Sequence, residues 1–304
     1  MALALEIRRP AGSALRLLFQ REFVRAGKRL VQAASDTPRE RVEGVHEFRR
    51  SVKRLRAAMR VARQVVTERE WRGIDGALGD AARRLGSLRD AHARTIAAGR
   101  IAALLPRPMR ALALDAWRAT GGVVTESAGD PSVESVQALV RESRAELEAA
   151  RERVMDLDLD PLTWPLVARA VAEACGSARD RFRVAWEGRD ENWLHDVRKR
   201  AQRAANMLAL LSTAGERRVA TTEARLRAVS GLLGDARDAG LMLQDMPELP
   251  RASPLHAASR QMRRVATRHR ERCLRRARVA GATALPEGRR DVRRRLERAL
   301  ARSA

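Results

Sequence analysis

Apolar residues recur along nearly the whole chain at spacings of three and four, the period of an amphipathic helix. No stretch alternates as a half-buried strand does, so the Asp75-Gly76 pair, inside a helical pattern, marks no hairpin. The pattern predicts helices over 12–34, 39–66, 69–98, 108–127, 132–155, 162–187, 190–212, 216–245, 253–279 and 287–302. Breaks are expected at Thr37-Pro38, Pro106-Arg107-Pro108, Gly129-Asp130-Pro131, Asp160-Pro161, Gly188, Gly215, Pro247 to Pro254 and Gly281 to Pro286. Asp36 and Thr37 before Pro38, and Asp130 before Pro131, suit helix starts.

Two stretches of this pattern occur twice. Residues 45–59 read VHEFRRSVKRLRAAM and residues 194–208 read LHDVRKRAQRAANML, 149 residues apart. Downstream, RLGSLRDA at 84–91 is matched by LLGDARDA at 232–239, at an offset of 148. Two blocks in one order with nearly one gap indicate a single internal duplication. No third copy exists, so this is not a solenoid array. The halves run over 10–155 and 161–304, with the boundary near Asp158 to Pro161.

On a helix, His46, Arg49, Lys53 and Arg56 fall within an arc of roughly 80°, with Arg50 at its edge. Val45, Phe48, Val52, Leu55 and Met59 form the neighbouring apolar stripe. In the second copy His195, Arg198 and Gln202 share a face, with Lys199 at the edge, beside Leu194, Val197, Ala201, Ala204 and Leu208. The apolar stripe docks the helix, which leaves the cations beside the core and not opposite it. That position suits a groove or cavity better than a convex surface. Cations crowded on one face repel each other, and an anion of closely spaced charges relieves the repulsion. Arg offers a bidentate fork to phosphate oxygens and Lys a point charge. A His near neutral pH donates a hydrogen bond and takes up a proton as phosphate approaches. The plainer alternative is a solvated histidine near a helix start. It covers one histidine better than two at matched positions with matched arginines.

Charge changes the picture further. The 304 residues carry 61 Lys and Arg against 38 Asp and Glu, a net charge of +23. An excess of that sign points to a polyanionic partner: nucleic acid, an anionic membrane or another phosphate polymer. Residues 251–304 alone hold 17 Arg against four acids, and Arg260, Arg263, Arg264, Arg268, Arg275 and Arg276 form a second candidate face; a solvated basic helix is the alternative. Arg21, Arg25 and Lys28 are weaker candidates of the same kind. Arg84, Arg89 and Arg237 are within reach of an anion on the main face. Asp90 and Asp238 are expected to anchor neighbouring cations and not to act as catalysts.

Other features are less eventful. Cys175 and Cys273 fit no metal or redox spacing and are expected to be buried thiols in a reducing compartment. Asp156, Asp158 and Asp160 lie in the linker and are not expected to hold a metal. His92, His256 and His269 show no repeat partner and no ligand spacing. Trp71, Trp117, Trp164, Trp186 and Trp193 are expected at the core or the bundle edge. No uncharged stretch approaches the ~20 residues that span a bilayer, and no signal peptide is evident. A soluble, cytoplasmic protein with no membrane role is expected.

On HEFRRSVKRLRAAMRV at 46–61, HDVRKRAQRAANMLAL at 195–210 and the paired LGSLRDA and LGDARDA segments, the chain resembles the CHAD domain family. The resemblance covers essentially the whole chain. It implies an all-α fold, an internally duplicated pair of helical bundles with pseudo-twofold symmetry and a basic central cavity or groove. It implies binding of inorganic polyphosphate without catalysis, no cofactor, and association with polyphosphate granules and their proteins. Carried over by position, the polyphosphate ligands would be His46, Arg49, Arg50, Lys53, Arg54 and Arg56, then His195, Arg198, Lys199 and Arg203. The second copy departs from the pattern: Gln202 stands at the position of Lys53, and Ala204-Ala205 at that of Leu55-Arg56. Family members are often fused to a CYTH-type triphosphatase with an N-terminal Glu-x-Glu-x-Lys. Here only Glu6-Ile7-Arg8-Arg9 is present, which implies a stand-alone domain.

Two other functions compete. A basic helical protein binds nucleic acid nonspecifically through phosphates. Against that as the main role stand the lack of a docking motif, an aromatic content of 3% with no Tyr, and a cationic face set beside the core. An enzyme acting on polyphosphate or nucleotides would need a phosphate loop or a paired-carboxylate metal site, and neither pattern occurs.

Overall fold

In this computed structural model, residues 4–120, 133–187, 191–246, 248–285 and 287–303 are described, with side chains for all of these but 87–93, 133, 186–187 and 191–192. Eleven α-helices and no strand occur among them: α1 Ala11–Ala33, α2 Pro38–Ala62, α3 Glu68–Arg84, α4 Gly86–Ala103, α5 Arg107–Ala119, α6 Val133–Met155, α7 Trp164–Glu187, α8 Glu191–Ala209, α9 Arg217–Asp245, α10 His256–Ala284 and α11 Arg289–Ser303. The fold is all-α, as the periodicity predicts. The breaks predicted at Gly129 to Pro131 and at Gly188, and the end of the helix predicted over 108–127, lie outside the described residues.

Local chemistry accounts for several boundaries. Pro38 opens α2, where its missing N–H costs nothing. Thr67 and Glu70 form a reciprocal capping box at the start of α3. Gly215 adopts φ 65° after a short 3-10 turn at Ser212–Ala214, a left-handed conformation that glycine enters without a Cβ clash. Arg16 donates to the carbonyls of Met155 (3.0 Å) and Leu157 (3.1 Å), closing the end of α6. Arg263 donates to Leu243 (3.1 Å) and Met246 and closes α9 in the same way.

One prediction needs correction. The helix expected over 69–98 is two helices, α3 and α4, separated at Leu85, whose ψ of 11° turns the chain. Leu85 is fully buried, so the turn is anchored in the core. The matching segment of the second copy runs straight through the middle of α9. One repeated motif is therefore bent in one copy and straight in the other.

α1 packs along α2, α3 against α6, α7 against α8 and α11, and α9 against both α8 and α10. The main core is continuous across both sequence halves and includes Phe19, Phe48, Leu55, Val197, Leu208 and Leu233. A second core joins α4 and α5 to α9 and α10 through Ile101, Leu105, Trp117, Met242 and Met262. So helices from the first half of the sequence are buried against helices from the second. α2 meets α8 directly, which brings the two copies of the His segment together. At full burial each large aliphatic or aromatic side chain contributes about 1.5–3 kcal/mol.

The linker acids have a local explanation. Leu157 and Leu159 are buried, while Asp156, Asp158 and Asp160 point outward. Asp158 Oδ1 accepts the Asp160 N–H at 3.0 Å, as in an Asx turn.

Candidate functional site

A cavity of about 1010 Å³ is bounded by α2, α3, α4, α5, α8 and α9. Its first wall is the face of α2 that carries Arg49, Lys53, Arg56 and Arg60. The spacing of four, three and four keeps these side chains on one stripe. The facing wall is α8, with His195, Arg198, Lys199 and Arg203. Arg83, Arg94 and Arg237 complete the cations, and Asp75, Asp238 and Asp245 are the acids. Among the described residues, ten Lys and Arg side chains line the cavity against three carboxylates.

Several of these side chains are held by their neighbours. Arg56 makes a bidentate pair with Asp75, at 2.8 and 2.6 Å, which ties α2 to α3. That bond holds the Arg56 pKa above its ordinary value. Arg49 donates to the Ala82 carbonyl at 2.6 Å. Its guanidinium runs past Gly86, where a Cβ would sit 3.4 Å from Nη1. Arg198 runs past Gly234 at the same 3.4 Å. Arg94 pairs with Asp245 at 3.5 Å. Arg60 lies 5.7 Å from the ring centre of Trp71, a cation–π contact.

The crowding shows in the protonation equilibria. Arg60 is pulled down to about 10, first by burial and then by Arg203. Arg203 is lowered by burial, with Arg200 and Arg56 adding to it. His195 is lowered by burial first, then by Lys199, Arg237 and Arg198. Its Nδ1 is buried with no hydrogen-bond partner among the described residues. Each of these groups gains from an anion that supplies the missing counter-charge.

Of the residues expected at the site, the cavity gathers Arg49, Lys53, Arg56, His195, Arg198, Lys199 and Arg203. It does not gather His46, Arg50 or Arg54. His46 is exposed one turn before Arg49, beside Glu47. Arg50 is exposed and pairs with Glu47 at 2.8 Å. Arg54 turns toward α1, 3.7 Å from the buried Glu22. Its repeat counterpart Arg203 does line the cavity. The residue at the matching offset from Glu22 is Val171, which offers no carboxylate to draw Arg203 away.

None of the named arginines of the second candidate face, on α10, lines this cavity. Arg263 closes α9, and Arg275 lies beside Glu271. Nor does Arg84, which bridges to Glu142 and Glu146 on α6. Arg237 and Asp238 of the second RD pair do line it, while the side chains of Arg89, Asp90, His92 and Trp186 lie outside the description. Sequence reasoning missed Arg60, although its spacing of four from Arg56 continues the stripe. It missed Arg83, Arg94, Asp75 and Asp245 because only the packing of α3, α4 and α9 brings them in.

A family model, the CHAD domain, matches residues 23–244. The chain belongs to the CHAD domain family. The match runs from within α1 to the end of α9, so every cavity helix of this CHAD domain lies inside it apart from the last residue of α9, while α10 and α11 lie outside. No curated protein matches the chain. No described helix of the domain is long and apolar enough to cross a membrane.

Proposed function

We propose that this CHAD domain binds inorganic polyphosphate, without catalysis, in the cavity between α2 and α8. The observation that carries the reading is the convergence of Arg49, Lys53, Arg56 and Arg60 with His195, Arg198, Lys199 and Arg203 on one space of about 1010 Å³. Guanidinium groups on two facing walls suit a flexible chain of phosphates, which threads where a rigid duplex does not fit. The paired relations of Arg49 to Gly86 and of Arg198 to Gly234 support an internal duplication with approximate twofold symmetry around that cavity. Membership of the CHAD family is consistent with a polyphosphate-related role. A cytoplasmic protein resident at polyphosphate granules, with granule proteins as possible neighbours, follows from this reading.

Calorimetric titration at physiological salt with long-chain polyphosphate, and with duplex DNA of matched phosphate count, tests it. Binding of polyphosphate at least tenfold tighter than DNA is expected. Equal affinities would return the protein to the class of generic polycations and nonspecific nucleic-acid binders.

A further inference from the structure

Away from the cavity, α9 and α10 bring together Asp235, His269 and Cys273, one ligand atom from each lying within 4.8 Å of the others. Among the described residues this is the one group of His, Cys and acidic side chains arranged in this way. His269 and Cys273 are four residues apart on α10 and so share a face. Asp235 reaches them from α9, which packs along α10 more extensively than any other helix.

The donors and their spacing select a metal class. Thiolate, imidazole and carboxylate together suit borderline ions such as Zn²⁺ and not the hard, all-oxygen sites of Mg²⁺ or Ca²⁺. Tetrahedral Zn²⁺, with Zn–S and Zn–N bonds of ordinary length, places sulfur and nitrogen ~3.5 Å apart. Cys273 Sγ lies 3.5 Å from His269 Nε2. The carboxylate needs to close by up to about 1.5 Å to complete the set. Its present neighbour is Arg100, at 3.5 Å across a partly exposed surface, a weak restraint on that movement.

We propose that Asp235, His269 and Cys273 form a three-ligand site for a divalent transition ion of the zinc class, which clips α9 to α10. The thiol proton leaves to solvent as the thiolate binds, and a water takes the fourth position. The residue at the repeat position of Asp235 is Ser87, so the site belongs to the second copy alone. It is independent of polyphosphate binding, because none of its three ligands lines the cavity.

The test uses the full chain without a histidine tag and Co²⁺ as the probe. One Co²⁺ per chain is expected, with a thiolate-to-cobalt charge-transfer band in the near ultraviolet that equimolar Zn²⁺ removes. Cys273→Ser should lose the band, and Cys175→Ser, which changes a buried thiol elsewhere, should keep it. His269→Gln should weaken Co²⁺ binding at least tenfold while leaving the circular dichroism spectrum unchanged. Failure of the wild-type chain to bind Co²⁺, binding without the thiolate band, or a band that survives Cys273→Ser overturns the site and leaves only a thiol–imidazole contact.

Discussion

Arg49 lies against Gly86: a Cβ added at residue 86 would stand 3.4 Å from Arg49 Nη1. The same distance separates the corresponding point at Gly234 from Arg198 Nη1. In both copies the glycine leaves a channel through which the arginine reaches the cavity. A methyl group fits at 3.4 Å, and a larger side chain does not. Gly234 lies inside α9, so Gly234→Ala should gain up to about 1 kcal/mol from helix propensity with polyphosphate affinity retained. Gly234→Leu should displace Arg198, cost about 1–3 kcal/mol through overpacking, and weaken binding at least tenfold. Thermal unfolding alongside calorimetry separates the two effects. Undiminished affinity in the leucine variant would show that Arg198 does not need this path.

The cavity arginines and the surface arginines of α10 make opposite predictions. Arg49→Ala with Arg198→Ala removes two facing guanidinium groups from the cavity. Arg260→Ala with Arg268→Ala removes the same charge from exposed positions outside it. The first pair should lower the slope of log affinity against log salt by about 1.4, taking ~0.7 for each phosphate contact of a flexible strand. The second should change that slope little. Equal losses from the two pairs, measured across a salt series, would mean that net charge alone drives binding.

How far the sequence carries can be read from particular residues. Arg49 and Arg198 are recognisable because the sequence repeats both the arginine and, 36 or 37 residues on, its glycine. The stripe from Arg49 to Arg56 follows from helical period, and the same rule extends to Arg60. What the pattern does not reveal is competition for a side chain. Arg54 and Arg203 occupy matched positions, yet Glu22 on α1 draws one away and Val171 on α7 does not draw the other. Nor does it reveal that Leu85 turns the chain where Leu233 does not, since both are buried leucines before a glycine. Contributions from α3, α4 and α9, such as Asp75 and Arg94, depend on tertiary packing and carry no local signature.

His195 gives the site a pH dependence of known sign. Burial, Lys199, Arg237 and Arg198 lower its pKa in the folded protein, and Asp196 opposes them. A histidine lowered on folding binds fewer protons folded than unfolded. Its contribution to stability is therefore present above the ordinary value of ~6.5 and is lost as the pH falls toward the lowered one. A bound polyanion reverses the bias, so binding should take up a proton and strengthen as the pH falls through the same range. Calorimetry at pH 6 in two buffers of different ionisation enthalpy measures that uptake. His195→Gln should reduce it by most of one proton, and an unchanged uptake would place the linked group elsewhere.

Asp75 sets function against stability. Its bidentate bond to Arg56 spans α2 and α3, and its charge cancels one of the cavity cations. Asp75→Asn keeps the shape, removes the charge and frees part of the Arg56 fork. Stability should fall by about 1 kcal/mol, a modest value because Arg56 is partly exposed. Polyphosphate affinity should rise severalfold. Weaker binding in Asp75→Asn would mean that Asp75 serves mainly to hold Arg56 in place for the ligand.

Arg54 gives the sharpest contrast with position-by-position transfer of ligands. It sits 3.7 Å from Glu22, which is only 2% exposed and has Arg25 as its other partner, at 2.5 Å. Arg54→Met would leave that buried carboxylate with one cation in place of two, at a cost of about 1–3 kcal/mol. Polyphosphate affinity should not change, since the side chain does not line the cavity. Burial already holds the Glu22 carboxyl above its ordinary range, against the pull of Arg25 and Arg54. A carboxyl raised on folding binds more protons folded than unfolded, so its contribution falls as the pH rises through and above the ordinary carboxylate range. Removing Arg54 raises Glu22 further and steepens that fall. Chemical unfolding of wild type and Arg54→Met between pH 4 and 7 measures the difference in slope. Parallel stability curves, or a loss of polyphosphate affinity at full stability, would assign Arg54 to the ligand instead of to the α1–α2 interface.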